Sequence, residues 1–199
     1  MKKFYFDCGT HMFQGFLEFC AKYNIDSSWY CYCFEPNKLT YNESKKIYEF
    51  LDKKYNIEHL NKGISNEDGQ VKIKCAKVKT WGFGTQIGSY TDQSSNILEK
   101  SQDWWNDEYE EYDVNVINFS SFLKKTVTIE DYVIIKMDIE GSEFSVLDKL
   151  IQDNSIDFVN DLYVEFHERN FDDQDFYFQK KKEYIKLFED KNINFFEWI

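Results

Sequence analysis

Short apolar runs alternate with segments of helical periodicity along this chain, and this alternation constrains the fold more than any other feature. The run Phe4 to Phe6 precedes apolar residues that recur at helical spacing from Phe13 to Cys20. A second run, Trp29 to Phe34, precedes another helical pattern from Leu39 to Leu51. Strands that alternate with helices favour a parallel sheet covered by helices on both faces.

The second half of the chain repeats this unit. The most apolar run, Tyr132 to Met137, predicts a central strand, and a helical pattern follows it from Phe144 to Ile151. Further strands are predicted at Leu162 to Phe166 and, after a closing helix, at Ile193 to Ile199. We therefore predict an α/β fold with three layers, α/β/α, around a mostly parallel twisted sheet, and a single domain over residues 1–199.

The charge of the chain limits its partners. Acidic residues outnumber basic ones by 36 to 24, which gives a formal net charge of -12. A nucleic acid or an anionic membrane would therefore meet mostly repulsion. The first apolar run stops at Asp7, too early for a signal peptide or a membrane span. We expect a soluble, cytoplasmic protein that binds neither nucleic acid nor membrane, and we leave open a homodimer.

The five cysteines show no paired spacing of the kind that metal sites use. Cys31 and Cys33 flank Tyr32 inside an apolar, strand-like run. We expect buried, reduced thiols and no zinc site.

Polar residues follow the apolar runs at the points where the predicted strands end. They are Asp7, Glu35, Asp138, Glu165 and His167. In open α/β sheets, ligands bind where the strands reach their carboxyl edge, so one crevice could gather these side chains. A carboxylate after the second strand, such as Glu35, accepts the hydroxyl protons of a ribose and repels a 2′-phosphate.

The loop after the first strand indicates which nucleotide would bind. Gly9 lies where the backbone must turn sharply and approach a ligand, with the amide groups of a helix close behind. A dinucleotide site would need G-x-G-x-x-G here, but the next glycine is Gly15. Together with Glu35, this loop indicates an adenosine ligand.

Five blocks of the chain, in order, resemble the FkbM-type family of S-adenosylmethionine-dependent methyltransferases, between Phe4 and about Asn170. FYFDCGTHMFQG is similar to the first motif of the family, YCFEPN to its second-strand block, and IIKMDIEGSEFSVL to its K-x-D-x-E-G-x-E signature, which is the most specific. Gly63 to Gly69 resembles its A-I-S-x-x-x-G turn, and Tyr163 to His167 its x-V-E-x-H block. One position departs, because the second glycine of the family's first motif falls at Phe13.

The resemblance implies a Rossmann-like class I methyltransferase with S-adenosylmethionine as cofactor. It places Asp7 and Gly9 beside the methionine portion, Glu35 on the ribose, and Ile64 or its neighbours beside the adenine. His11 could contact the methionine carboxylate or the acceptor. The full predicted cofactor set is Asp7, Gly9, Thr10, His11, Gln14, Gly15, Glu35, Pro36, Ile64 and Asp138.

Methyl transfer to an alcohol needs help with the proton of the acceptor, because a sugar hydroxyl ionises far above neutral pH. We predict Asp138, Glu165 and His167 as catalytic residues, with Glu140 as a further candidate base. The same three residues form an oxygen and nitrogen donor set suited to Mg²⁺ or Mn²⁺. His167 could instead be a general base or a hydrogen-bonded structural histidine. Glu143 is predicted to cap the helix that follows.

The leading functional hypothesis is O-methylation of a sugar or glycan hydroxyl, a common role in the family. A methyltransferase acting on a non-sugar small molecule is one alternative. Another is a non-catalytic Rossmann-like module that binds the cofactor or a nucleotide sugar. Aromatic residues from Trp81 to Gln93 and at Trp104-Trp105 could stack on a sugar ring, although packing or a dimer contact would use them equally well.

Overall fold

The computed structural model describes residues 1–76, 89–91 and 109–198. Its strands are β1 (Lys3–Cys8), β2 (Trp29–Phe34), β3 (Ile57–Leu60), β4 (Gly63–Ser65), β5 (Gly69–Ala76), β6 (Ser89–Thr91), β7 (Tyr109–Asn118), β8 (Tyr132–Met137), β9 (Asp161–Val164) and β10 (Asn194–Glu197). Its α-helices are α1 (Gln14–Tyr23), α2 (Lys38–Leu51), α3 (Phe119–Thr126), α4 (Glu143–Gln152) and α5 (Gln174–Asp190).

Six strands form the main sheet, in the order β10-β9-β8-β1-β2-β3, and every neighbouring pair is parallel. The predicted α/β fold with a mostly parallel sheet is therefore confirmed. β8, predicted to be central, lies between β1 and β9. In the part of the chain that the structure describes, no helix is both long and apolar enough to cross a membrane.

Helices cover both faces of this sheet because successive side chains of a strand point to opposite sides. In β1, Phe4 and Phe6 join the cluster formed with α3, α4 and α5. Tyr5 points the other way and packs against Phe16 and Phe19 of α1. The same alternation in β2 puts its cysteines on the α1 side, and Cys8, Cys20, Cys31 and Cys33 are buried and free, as expected.

The remaining strands form a second sheet, in the order β4-β7-β5-β6. β5 and β7 pair antiparallel along eight residues each, and β4 runs parallel to β7. Ile73 of β5 packs with Val114 and Val116 of β7, while Ile64 of β4 joins the core of the main sheet. The alternation of strands and helices in the sequence did not predict this separate sheet.

Two aromatic segments of the sequence are predicted as candidates for stacking on a sugar ring. Except for residues 89–91, the stretch from Trp81 to Gln93 lies outside the described residues, and so does the pair Trp104-Trp105.

Candidate functional site

The carboxyl edge of the main sheet carries the polar residues that follow the strands. The backbone N–H of Glu35 donates to Leu60 O of β3 at 3.0 Å, which extends β2 by one residue. In the same way, Asp138 donates to Cys8 O at 3.0 Å and Glu165 donates to Met137 O at 2.9 Å. These backbone bonds place three acidic residues at the carboxyl edge, after β2, β8 and β9.

Gly9 brings the first loop into direct contact with the end of β8. Its φ is 86°, and a Cβ atom at this position would lie 1.9 Å from the carbonyl oxygen of Asp138. The amides of Gly9 and Thr10 both donate to Phe34 O, at 3.1 and 2.9 Å. Because no larger residue fits against Asp138, glycine is required at this crossing.

Lys136 lies buried beneath this loop, on the α1 side of β8. Its ammonium donates to Gly9 O at 2.9 Å and to Asp138 Oδ2 at 3.3 Å, and it lies 3.6 Å from Asp7 Oδ1. Burial alone would lower the pKa of Lys136, but Asp7 and Asp138 raise it above its ordinary value. Lys136 therefore stays charged and joins the first loop to Asp138.

Asp7 supports the loop from below. It is fully buried, and Thr10 donates its hydroxyl to Asp7 Oδ2 at 2.9 Å. Burial raises the pKa of the Asp7 carboxyl, although Lys136 and Thr10 oppose the rise. Contact of Asp7 with the methionine portion of a cofactor stays a prediction, since the structure shows its side chain enclosed by the loop.

Glu35 forms a buried acceptor at the end of β2. Its Oε1 accepts the backbone N–H of Asn37 at 2.8 Å, and its Oε2 accepts that of His11 at 3.1 Å. Each oxygen keeps capacity for a further donor. Burial raises the pKa of Glu35 to about 7, against the effect of these two hydrogen bonds.

The loop enters α1 through two residues with left-handed backbone conformations, His11 at φ 47° and Phe13 at φ 65°. Phe13 is fully buried and packs edge-on against Phe16 and His59. Glycine enters this conformation freely, whereas a residue with a Cβ atom pays roughly 1 to 2 kcal/mol. This backbone cost explains the glycine that the family pattern has at this position. In this chain, burial of the Phe13 ring offsets the cost of replacing that glycine.

The other predicted cofactor residues lie at the start of α1, after β2 and in β4. Gln14 Oε1 accepts the N–H of Met12 at 3.2 Å, and Gly15 lies in the first turn of α1. The carbonyl of Pro36 accepts a hydrogen bond from the Asn61 amide at 3.0 Å. Ile64 is buried in the core, so its contact with an adenine remains a prediction.

His167 is the centre of a second cluster at the same edge. Its Nδ1 lies 2.9 Å from Glu143 Oε1, and its Nε2 lies 3.5 Å from both Glu140 Oε2 and Glu165 Oε1. Glu143 also accepts the backbone N–H groups of the turn before α4, at residues 139 and 141, each at 2.9 Å. Glu143, which was predicted to cap α4, therefore holds the turn before this helix instead of the helix amides, and it orients the histidine.

The carboxylates around His167 control its protonation. Burial alone would lower the pKa of His167, but the hydrogen bond and charge of Glu143, with the charges of Glu140 and Glu165, raise it to about 9. Burial also raises the pKa of Glu140 to about 7, although His167 opposes this shift. At neutral pH, His167 without a metal holds its proton and is a poor general base.

Asp138, Glu140 and His167 could hold a metal ion. Each offers one ligand atom, and these atoms all lie within 4.8 Å of one another. The sequence predicted Glu165 as the third metal ligand. In the structure, Glu140 is the third residue of this group, and Glu165 lies beside it, with its Oε1 3.5 Å from His167 Nε2. Sequence reasoning also did not assign a role to Lys136, although a lysine inside an apolar strand signals a buried carboxylate partner.

The parallel sheet defines a Rossmann-like α/β protein, and the polar residues at its carboxyl edge form a candidate ligand site. The chain belongs to the FkbM methyltransferase family, because the family model described as the methyltransferase FkbM domain matches residues 7–192. This match spans the first loop, Glu35, Lys136, Asp138 and the cluster around His167. Searches of curated proteins and of solved structures gave no significant match.

Proposed function

We propose that this methyltransferase uses S-adenosylmethionine and methylates a hydroxyl oxygen of a sugar or glycan, with assistance from Mg²⁺ or Mn²⁺. The observation that carries the proposal is the position of Asp138. Its carboxylate contacts Lys136, which holds the first loop, and it also belongs to the potential metal group with Glu140 and His167. A cofactor at the loop and an acceptor at the metal group would therefore meet at Asp138.

The residues at the edge fit the cofactor. Glu35 is a buried carboxylate with spare acceptor capacity, which suits the two hydroxyls of a ribose. The sulfonium of the cofactor is positively charged, and the carboxylates of Asp138, Glu140 and Glu165 provide a complementary environment. When bound, S-adenosylmethionine supplies a methyl carbon from which the acceptor oxygen displaces sulfur in line, so that a C–O bond forms and a C–S bond breaks.

The same edge fits a divalent cation. Asp138, Glu140 and His167 provide two oxygens and one nitrogen, a donor set suited to Mg²⁺ or Mn²⁺. Glu143 holds His167 through Nδ1 and leaves Nε2 directed to this group. Bound there, the cation would lower the pKa of the acceptor hydroxyl.

The acceptor proton needs a base among the residues of the edge. In this proposal Glu165 takes it, because its carboxylate is partly exposed and stands next to the metal group. Burial and the nearby Asp138 raise the pKa of Glu165, which strengthens it as a base. Asp138 and Lys136 serve to align the loop and the acceptor, since correct alignment provides much of the rate in a displacement of this kind.

Binding and turnover test the proposal separately. Calorimetric titration with S-adenosylhomocysteine should show saturable binding, and added Mn²⁺ should bind to the wild-type protein. Asp138→Asn should lower the rate of methyl transfer to a sugar at least 100-fold, roughly the loss of one transition-state interaction. Asp157→Asn, an ion-pair variant on the surface, is the matched control and should keep the rate within about twofold.

The alternatives give different results in the same assays. A protein that binds S-adenosylhomocysteine but methylates neither sugars nor other hydroxyl compounds would be a non-catalytic module. Stabilisation by a nucleotide sugar, without stabilisation by S-adenosylhomocysteine, would overturn the proposed function. The net charge of -12 supports the further proposals that the acceptor is not a nucleic acid and that the protein does not act at an anionic membrane surface.

A further inference from the structure

Trp198 lies in line with Glu165 and Asp138 at the carboxyl edge of the main sheet. Its backbone N–H donates to Val164 O of β9 at 2.9 Å, and the backbone N–H groups of Glu165 and Asp138 donate in the same way to their own neighbours, at 2.9 and 3.0 Å. Parallel register therefore places Trp198, Glu165 and Asp138 side by side, about 5 Å apart from strand to strand.

The indole lies on the same face of the sheet as Lys136. Phe196, two residues earlier in β10, stacks on Tyr163 with ring centroids 4.6 Å apart, and the alternation of the strand returns Trp198 to that face. The Trp198 ring packs against Phe19 at 5.4 Å and lies 5.9 Å from the ammonium of Lys136. It is only partly buried, so part of the ring remains accessible to solvent.

We propose that Trp198 and Glu165 form the subsite for the acceptor, and that the acceptor is a pyranose ring. One face of a pyranose is rich in C–H groups and stacks on an indole, while its hydroxyls donate to carboxylates. Glu165 lies one strand away from Trp198 and Asp138 two strands away, which matches a ring stacked on Trp198 with a hydroxyl directed to Glu165. This inference rests on the proposed function and adds the residue that selects the acceptor.

Fluorine NMR tests the contact directly. The chain has five tryptophans, and with 5-fluorotryptophan incorporated, Trp198→Phe assigns the signal of Trp198. After binding of S-adenosylhomocysteine has been verified by calorimetry, the protein is titrated with the methyl pyranosides of glucose, galactose, mannose and rhamnose. We expect the Trp198 signal to shift saturably with at least one of them and not with the acyclic polyol mannitol. A signal unmoved by every pyranoside, or moved equally by mannitol, overturns the inference.

Kinetics separates acceptor binding from packing. With the pyranoside that shifts the signal, Trp198→Ala should raise the KM for the acceptor about tenfold and leave the affinity for S-adenosylhomocysteine unchanged. Phe196→Ala removes an aromatic ring from the same strand and face, and should keep the KM within about twofold. Equal effects of the two variants would assign Trp198 to packing alone. Failure to bind S-adenosylhomocysteine would instead overturn the proposed function, and this inference with it.

Discussion

Replacing His59 by Phe should remove the contribution of this histidine to the acid sensitivity of the fold. His59 lies in β3, is 8% exposed, and packs against Phe13 and Tyr41 with ring centroids 4.8 and 4.3 Å apart. Within the described residues, its Nδ1 has no hydrogen-bond partner. Burial, with a smaller effect of nearby Lys45, lowers the pKa of His59 to about 4.

The sign and size of the effect follow from this pKa. A histidine in the unfolded chain titrates near pH 6.5, so the unfolded state binds the proton first as the pH falls. The contribution of neutral His59 to stability is complete above about pH 6.5 and is lost as the pH falls toward 4. At pH 5 the loss amounts to about 2 kcal/mol, since each pKa unit crossed is worth about 1.4 kcal/mol.

Urea unfolding at pH 7.5 and pH 5 measures this loss. Between the two values, the wild-type free energy of unfolding should fall by about 2 kcal/mol more than that of His59→Phe, in which an aromatic ring still fills the site. Phe50→Ala, a change at an exposed side chain that does not titrate, is the control and should follow the wild type. Parallel declines for wild type and His59→Phe would refute the reasoning.

Four further outcomes follow from the site. Gly9→Ala should lower stability by about 3 kcal/mol, measured by urea unfolding, and weaken binding of S-adenosylhomocysteine, because its Cβ meets a neighbouring carbonyl. Phe13→Gly should cost about 2 to 4 kcal/mol, since losing the buried ring outweighs relief of the left-handed backbone; a gain in stability would contradict this. Glu143→Gln should lower the pKa of His167 below about 9 by NMR titration and weaken Mn²⁺ binding at least about tenfold. Affinity for S-adenosylmethionine should fall below about pH 7 as Glu35 takes up a proton, and an unchanged pH profile in Glu35→Gln would argue against its ribose role.

The main sheet could be predicted because its strands are buried on both faces and therefore appear as continuous apolar runs. The buried face of α2 could not be predicted from the sequence. Leu39 and Phe50, which suggested its apolar side, are 47% and 72% exposed, whereas Thr40 and Ser44 are buried. Ser44 donates its hydroxyl to Tyr41 O at 3.0 Å, and this local bond lets a polar residue enter the core. Periodicity alone does not reveal such local satisfaction.

The candidate site could likewise be predicted only in part. Position at a strand end was enough to single out Asp138 and His167, because parallel strands share one carboxyl edge. The partners of these residues depend on side-chain contacts between distant segments, such as that from Glu143 to His167 across 24 residues of chain. The second sheet was missed for a related reason, since the pairing of β5 with β7 joins segments that the sequence separates widely.

The parallel main sheet gives the two ends of the described chain unequal surroundings. β1 begins at Lys3, on the edge opposite the site, whereas the chain leaves β10 at Trp198, beside Glu165. Polypeptide that precedes β1 would extend away from the carboxyl edge, while polypeptide that follows Trp198 would start next to it. For affinity purification or immobilisation on a sensor chip, attachment at the amino end is therefore the arrangement that keeps ligand access open.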